Sequence, residues 1–130
     1  MPRARADLEQ LVAHRSVADA AIVPVEELHA AAATVADLLR EVGFGEVEQI
    51  ETTDGSRAVL ARSPGPDGAP TVLLYAHYDV QPAGDRTAWI SSPWQLTERD
   101  GRWYARGAAD CKGNLVMLLT ALRALRGPGP

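Results

Sequence analysis

The feature that most constrains this chain is a continuous apolar run, Thr71-Val-Leu-Leu-Tyr-Ala76, which follows Ser63-Pro-Gly-Pro-Asp-Gly-Ala-Pro70 and leads into His77-Tyr-Asp79. A run of that length without polar alternation predicts a strand covered on both faces, as in the middle of an α/β sheet. The stretch before it is too rich in Pro and Gly for regular structure. Open α/β sheets place their active sites just outside the carboxyl ends of their strands, and His77-Tyr-Asp79 stands at such an end.

The remaining sequence supplies helices and hairpins around that strand. Leu8, Leu11, Val12 and Arg15 follow helical spacing after Asp7, read as the N-cap of a short first helix that ends before Val17. A stronger helix begins near Pro24 and carries Val25, Leu28, Ala32, Val35, Leu38, Leu39 and Val42 on one stripe, with Gly43 as its stop. Residues 47–51 and 57–61 flank Thr52-Thr-Asp-Gly55 and read as a hairpin; residues 95–98 and 102–105 flank Arg99-Asp-Gly101 and read as a second. Residues 81–93 read as an irregular loop, and 107–113 as a loop entering a last helix with Leu115, Leu118, Leu119, Leu122 and Leu125. The expected fold class is therefore α/β, with helices packed on a mostly parallel or mixed central sheet. Residues 1–126 form the structured region, and Gly127-Pro-Gly-Pro130 is a tail.

Composition narrows the function classes. The chain has 130 residues, the size of one ordinary domain. Its net charge of −4 offers no basic footprint for nucleic acid or an anionic membrane. No apolar run approaches the roughly 20 residues of a membrane helix. The single cysteine, Cys111, excludes an intrachain disulfide and fits a reducing cytoplasm, and the polar start Met1-Pro-Arg-Ala-Arg-Ala-Asp7 lacks the apolar core of a signal peptide.

Three residues stand out for chemistry: His77, Asp79 and Asp110. In an extended backbone, positions i and i+2 project to one side, so His77 and Asp79 can serve one site as two ligands, or as a ligand and its orienting carboxylate. Taken alone, a His-x-Asp at a strand end reads first as a surface turn with a capping Asp. Asp110, in Arg106-Gly-Ala-Ala-Asp-Cys-Lys-Gly113, stands at a helix entrance, where its carboxylate either caps the helix or bridges two divalent ions about 3.5–4 Å apart. Cys111 reads as a small buried filler rather than a zinc ligand, and Lys112 as a solvated residue at the helix start. Glu26 and Glu27 fit the first turn of a helix through its dipole, and His14 and His29 fall on predicted helices at the surface.

Taken together, Leu73-Leu-Tyr-Ala-His-Tyr-Asp-Val-Gln-Pro-Ala-Gly-Asp85, Trp89-Ile-Ser-Ser-Pro-Trp-Gln-Leu-Thr-Glu-Arg-Asp-Gly101 and Tyr104-Ala-Arg-Gly-Ala-Ala-Asp-Cys-Lys-Gly113 resemble the M20 family of zinc metallopeptidases, its dipeptidase branch most. The resemblance runs from about Asp7 to Arg126. It implies that His77 binds one metal, that Asp110 bridges two zinc ions, and that Asp79 orients His77. Mn²⁺ or Co²⁺ would also suit these ligand types. Trp94 stands where the family usually has Phe, a packing change. Cys111 stands where many members have Asp at a position that is not a ligand.

The family's downstream Glu-Glu pair, which supplies the general base and a ligand, has no counterpart in the 130 residues. Neither do its later acidic and His ligands or its lid domain, commonly used for dimerisation. The resemblance thus implies a partial zinc-exopeptidase-like catalytic domain without the lid: the N-terminal portion of a dizinc amidohydrolase acting on dipeptides or short peptides, with little or no activity by itself. N-acyl amino acids are an alternative substrate class. A non-catalytic α/β module that binds or complements another chain is an alternative function.

Overall fold

The computed structural model describes residues 2–126, so the tail expected at 127–130 lies outside the described residues. In chain order the elements are α1 (Pro2–Ala13), α2 (Val25–Val42), β1 (Glu46–Glu51), β2 (Arg57–Arg62), a 3₁₀ turn (Arg86–Ala88), β3 (Thr97–Arg99), β4 (Arg102–Tyr104) and α3 (Lys112–Arg126). The fold is mixed α/β, with a core in which Leu8, Leu11 and Val12 of α1, Val35, Leu38 and Val42 of α2, and Val116 and Leu119 of α3 meet.

α1 begins six residues before the expected first helical residue, Leu8, at Pro2, whose fixed φ and missing N–H suit a first helical turn. Asp7 is therefore not a cap. It is buried on the core face, where it accepts from Arg123 of α3 and lies 3.1 Å from the Arg3 guanidinium. A buried carboxylate needs such partners, and this one joins the first helix to the last. α2 ends as expected. Gly43 takes φ 98°, and the N–H groups of Gly43 and Phe44 bond back to the carbonyls of Arg40 and Leu39, closing a Schellman motif.

Both expected hairpins form. β1 pairs antiparallel with β2, Glu51 opposite Arg57, and β3 with β4, Arg99 opposite Arg102. At the second turn Asp100 (φ 52°) and Gly101 (φ 70°) are both left-handed, as a two-residue type I′ connection requires. The His29 ring shares a 2.8 Å hydrogen bond with the Gly55 carbonyl, tying α2 to the first turn.

One expected element differs. Residues 71–76 carry no strand pairing among the described residues, and they are open to solvent, with Val72 76%, Leu73 84% and Tyr75 80% exposed. Each hairpin pairs only within itself. A strand meant for the middle of a sheet needs ladder neighbours on both edges, and neither hairpin supplies one. The segment is held toward its far end, where Val80 makes a parallel bridge with Val17 and the Tyr78 hydroxyl bonds to the Arg57 carbonyl of β2. Beneath the run lies an apolar cavity of about 590 Å³ whose walls include Val35 of α2, Val59 of β2 and Leu115, Leu118 and Leu122 of α3.

Candidate metal centre

The site forms where the end of the 71–80 segment meets the loop before α3. Two hydrogen bonds hold the first piece to the segment after α1: Val80 N donates to the Ser16 carbonyl (2.8 Å), and Ser16 Oγ donates to the Tyr78 carbonyl (2.7 Å). Tyr78, between the two candidate site residues, also reaches across to β2, its hydroxyl donating to the Arg57 carbonyl. The second piece, residues 107–113, closes on itself through Gly113 N to the Gly107 carbonyl (3.3 Å) and carries Asp110 outward.

His77 lies between the two carboxylates. Its Nδ1 is 3.1 Å from both Asp79 Oδ1 and the Asp79 carbonyl, and its Nε2 is 3.1 Å from Asp110 Oδ1. The same-side projection of His77 and Asp79 is thus observed. Partial burial pulls the imidazole pKa down, but the bonds and charges of Asp79 and Asp110 outweigh it, so the net shift is upward. Asp110 is 83% exposed and turned toward His77, its Oδ1 3.1 Å from Nε2.

Cys111 is buried, as expected, and its Sγ accepts a weak bond from Asn114 Nδ2 at 3.5 Å. It is also less isolated than a filler. One donor atom each from His77, Asp110 and Cys111 lies within 4.8 Å of the other two. An imidazole, a carboxylate and a thiol suit a divalent transition ion, and three donors fill part of its coordination shell. Glu26 and Glu27 stand in the first turn of α2, where Glu27 accepts from Arg15 N. His14 and His29 are half-buried rather than at the surface, bonded to Thr34 Oγ1 and the Gly55 carbonyl at 2.8 Å each.

Lys112 overturns its expectation outright. It is 0% exposed, and its ammonium donates to the carbonyls of Leu11 and His14 at 2.8 Å each. Those carbonyls belong to the C-terminal end of α1, where backbone acceptors lack helical partners and a cation is favoured by the dipole. The signal was present in the sequence. Lys112, Val116 and Leu119 fall at i, i+4 and i+7 on the buried stripe of α3, and Lys112 is the only lysine in the chain against twelve arginines. Gly107 seats it: at φ 85°, a Cβ there would lie 2.9 Å from Val80 Cγ1 and 3.0 Å from Lys112 Cδ.

Residues 73–130 match peptidase family M20/M25/M40. A cysteinylglycine-S-conjugate dipeptidase of Corynebacterium striatum is 46% identical over 99 residues, covering 76% of this chain and 22% of its own length. A succinyl-diaminopimelate desuccinylase of Xanthomonas euvesicatoria pv. vesicatoria is 38% identical over 112 residues, covering 81% of this chain and 26% of its own. Among solved structures, human carnosine dipeptidase 1 superposes with a TM-score of 0.85 at 31% identity, over 98% of this chain and 29% of that one. The chain thus spans about a quarter of the length of the relatives it matches. In motif, sequence and fold alike, the chain resembles peptidase family M20/M25/M40, a metallopeptidase family, with dipeptidases among the relatives it matches.

Proposed function

We propose that this region supplies one part of a two-metal site that hydrolyses the amide bond of a dipeptide or short peptide. His77, through Nε2, and Asp110 would hold the metal, and Asp79 fixes the His77 ring through Nδ1. The observation that carries this reading is the direction of the two ring nitrogens: Nδ1 is occupied by Asp79, which leaves Nε2 facing Asp110 at 3.1 Å. Metal-bound histidines usually give their second ring N–H to such a carboxylate, which sets the tautomer and raises ligand basicity. Ions bound there, zinc first and manganese or cobalt by the same donor chemistry, would act as Lewis acids on a scissile carbonyl. The single buried thiol fits a reducing cytoplasm.

Among the described residues no further carboxylate joins the cluster to serve as a base, and three donors make an open, loosely held site. The 130-residue chain is therefore expected to bind Zn²⁺ through His77 and Asp110, with binding lost in His77→Ala, and to hydrolyse a dipeptide little or not at all. Calorimetric titration and a dipeptide assay check both. Robust metal-dependent hydrolysis by the purified chain would show that the site is not partial. The desuccinylase relative keeps N-acyl amino acids as the competing substrate class, which an assay of both substrate types on a longer protein carrying this region would separate.

A second reading rests on the exposed run at 72–75. A strand with open edges above an apolar cavity suits a module that completes its sheet with segments of another chain. Gel filtration with mass spectrometry distinguishes it: a stable complex with a larger fragment supports complementation, and a monomer that ignores such a fragment argues against it.

A further inference from the structure

We infer that Lys112 and Ser16 are positioning residues that together set the separation of His77 and Asp110, by tying both halves of the site to one short segment, residues 11–16, at the end of α1. The inference rests on the ligand reading above. It starts from a cost that the fold otherwise has no reason to bear.

Burying an ammonium is expensive, and an apolar side chain of similar volume is often the more stable solution in a core. This chain nevertheless spends its only lysine on a fully buried position two residues after Asp110. What the ammonium achieves is attachment. It holds the loop before α3 against the Leu11 and His14 carbonyls, each at 2.8 Å. From the same segment Ser16 reaches the other half of the site. Its carbonyl accepts from Val80 N, and its hydroxyl donates to the carbonyl of Tyr78, the residue between His77 and Asp79. Ser16 is itself completely buried, so these bonds are not shared with water.

The two arms also touch directly. Gly107, at the start of the Asp110 loop, comes so close to Val80 and Lys112 that a methyl group would collide with both. Residues that come from positions 77 and 110 of the sequence are thus fixed to a common base by four hydrogen bonds of 2.7–2.8 Å. Neither positioning residue touches the ring or carboxylate that would hold the ion. Each acts through the backbone that carries it.

The test is Zn²⁺ titration of the whole 130-residue chain, with His77→Ala to localise the ion. Ser16→Ala removes the side-chain bond of one arm while keeping its backbone bond to Val80, Lys112→Met removes the other arm, and Val42→Ala removes core packing without a bond to residues 11–16. All are measured where circular dichroism shows them folded. Ser16→Ala and Lys112→Met are each expected to weaken Zn²⁺ binding by about 10–100-fold, the usual loss when the support of a metal ligand is removed, with Val42→Ala binding as wild type. If Lys112→Met does not fold, Ser16→Ala decides. Wild-type affinity in Ser16→Ala overturns the inference, and so does an equal loss in Val42→Ala, which would make the effect one of stability alone. A wild-type chain that binds no Zn²⁺ overturns the ligand reading beneath it instead.

Discussion

Lys112 has a chemical consequence that reaches beyond its two hydrogen bonds. Burial pushes its pKa down from 10.5 to about 8, with Asp79 and Glu27 partly offsetting the loss of solvent. Below about pH 8 both folded and unfolded chains hold the proton, and the folded state bears the full desolvation penalty. Between about 8 and 10.5 only the unfolded chain holds it, so the unfolding free energy rises with pH, by an amount on the order of 3 kcal/mol. Because the chain has one lysine, a sample labelled at lysine side chains gives a single resonance. That resonance is expected to titrate near pH 8, and a midpoint near 10.5 would mean that the side chain is solvated. His14 works the acid side of the same corner: burial first, then the Lys112 charge, lowers its pKa below 6.5. Acidification through that range must put a proton on a half-buried ring bonded to Thr34. Folding stability is therefore expected to fall as pH drops below 6.5, and to fall less in His14→Gln, as thermal unfolding across the range would show. At these two residues side-chain type and position in the fold point to different surroundings, and position prevails. A lysine is ordinarily solvent-facing, yet this one sits on the apolar stripe of its own helix. His77 and Asp79 were legible because i, i+2 geometry depends on the local backbone alone, whereas the approach of Asp110 from 33 residues away was available only through the family resemblance.

At the scale of elements, local chemistry and long-range packing divide what could be read from what could not. Gly43 and Asp100-Gly101 were readable because the need for a left-handed backbone is met within a few residues. Asp7 departs from its expected role because a carboxylate near a helix start is most simply a cap, and nothing local reveals that Arg123, 116 residues later, will pack against it. The pair makes α1 depend on α3. Arg123→Met leaves the Asp7 charge buried with only Arg3 nearby, and it should cost about 3 kcal/mol, the low end for breaking one side of a buried pair. Asp7→Leu combined with Arg123→Met should recover much of that loss, since the uncompensated charge is gone. Urea unfolding of the three variants checks the cycle. A double variant no better than Arg123→Met alone would mean that the guanidinium matters for packing rather than for charge.

For the whole molecule, the apolar run that most constrained the fold is also the part the fold leaves unfinished. Its pattern predicts burial on both faces, whereas residues 71–75 are exposed and unpaired: a pattern cannot report whether the neighbours are there. With Leu73 at 84% and Tyr75 at 80% exposure, the run contributes almost nothing to the stability of the 2–126 unit, although covering one such leucine would be worth about 1.5–3 kcal/mol. That difference is available to any chain that lays a strand along it, a second copy included. Two consequences separate cleanly. Leu73→Lys should leave unfolding by urea within about 0.5 kcal/mol of wild type, as for any exposed substitution away from special features. The same change should suppress concentration-dependent association in gel filtration, because a charge on an open strand blocks its pairing. If Leu73→Lys instead unfolds the chain, the run is already covered in solution and belongs to the core. If wild type and variant are both monomeric at every concentration, the edge attracts no second copy, and what completes it must bring apolar strands of its own.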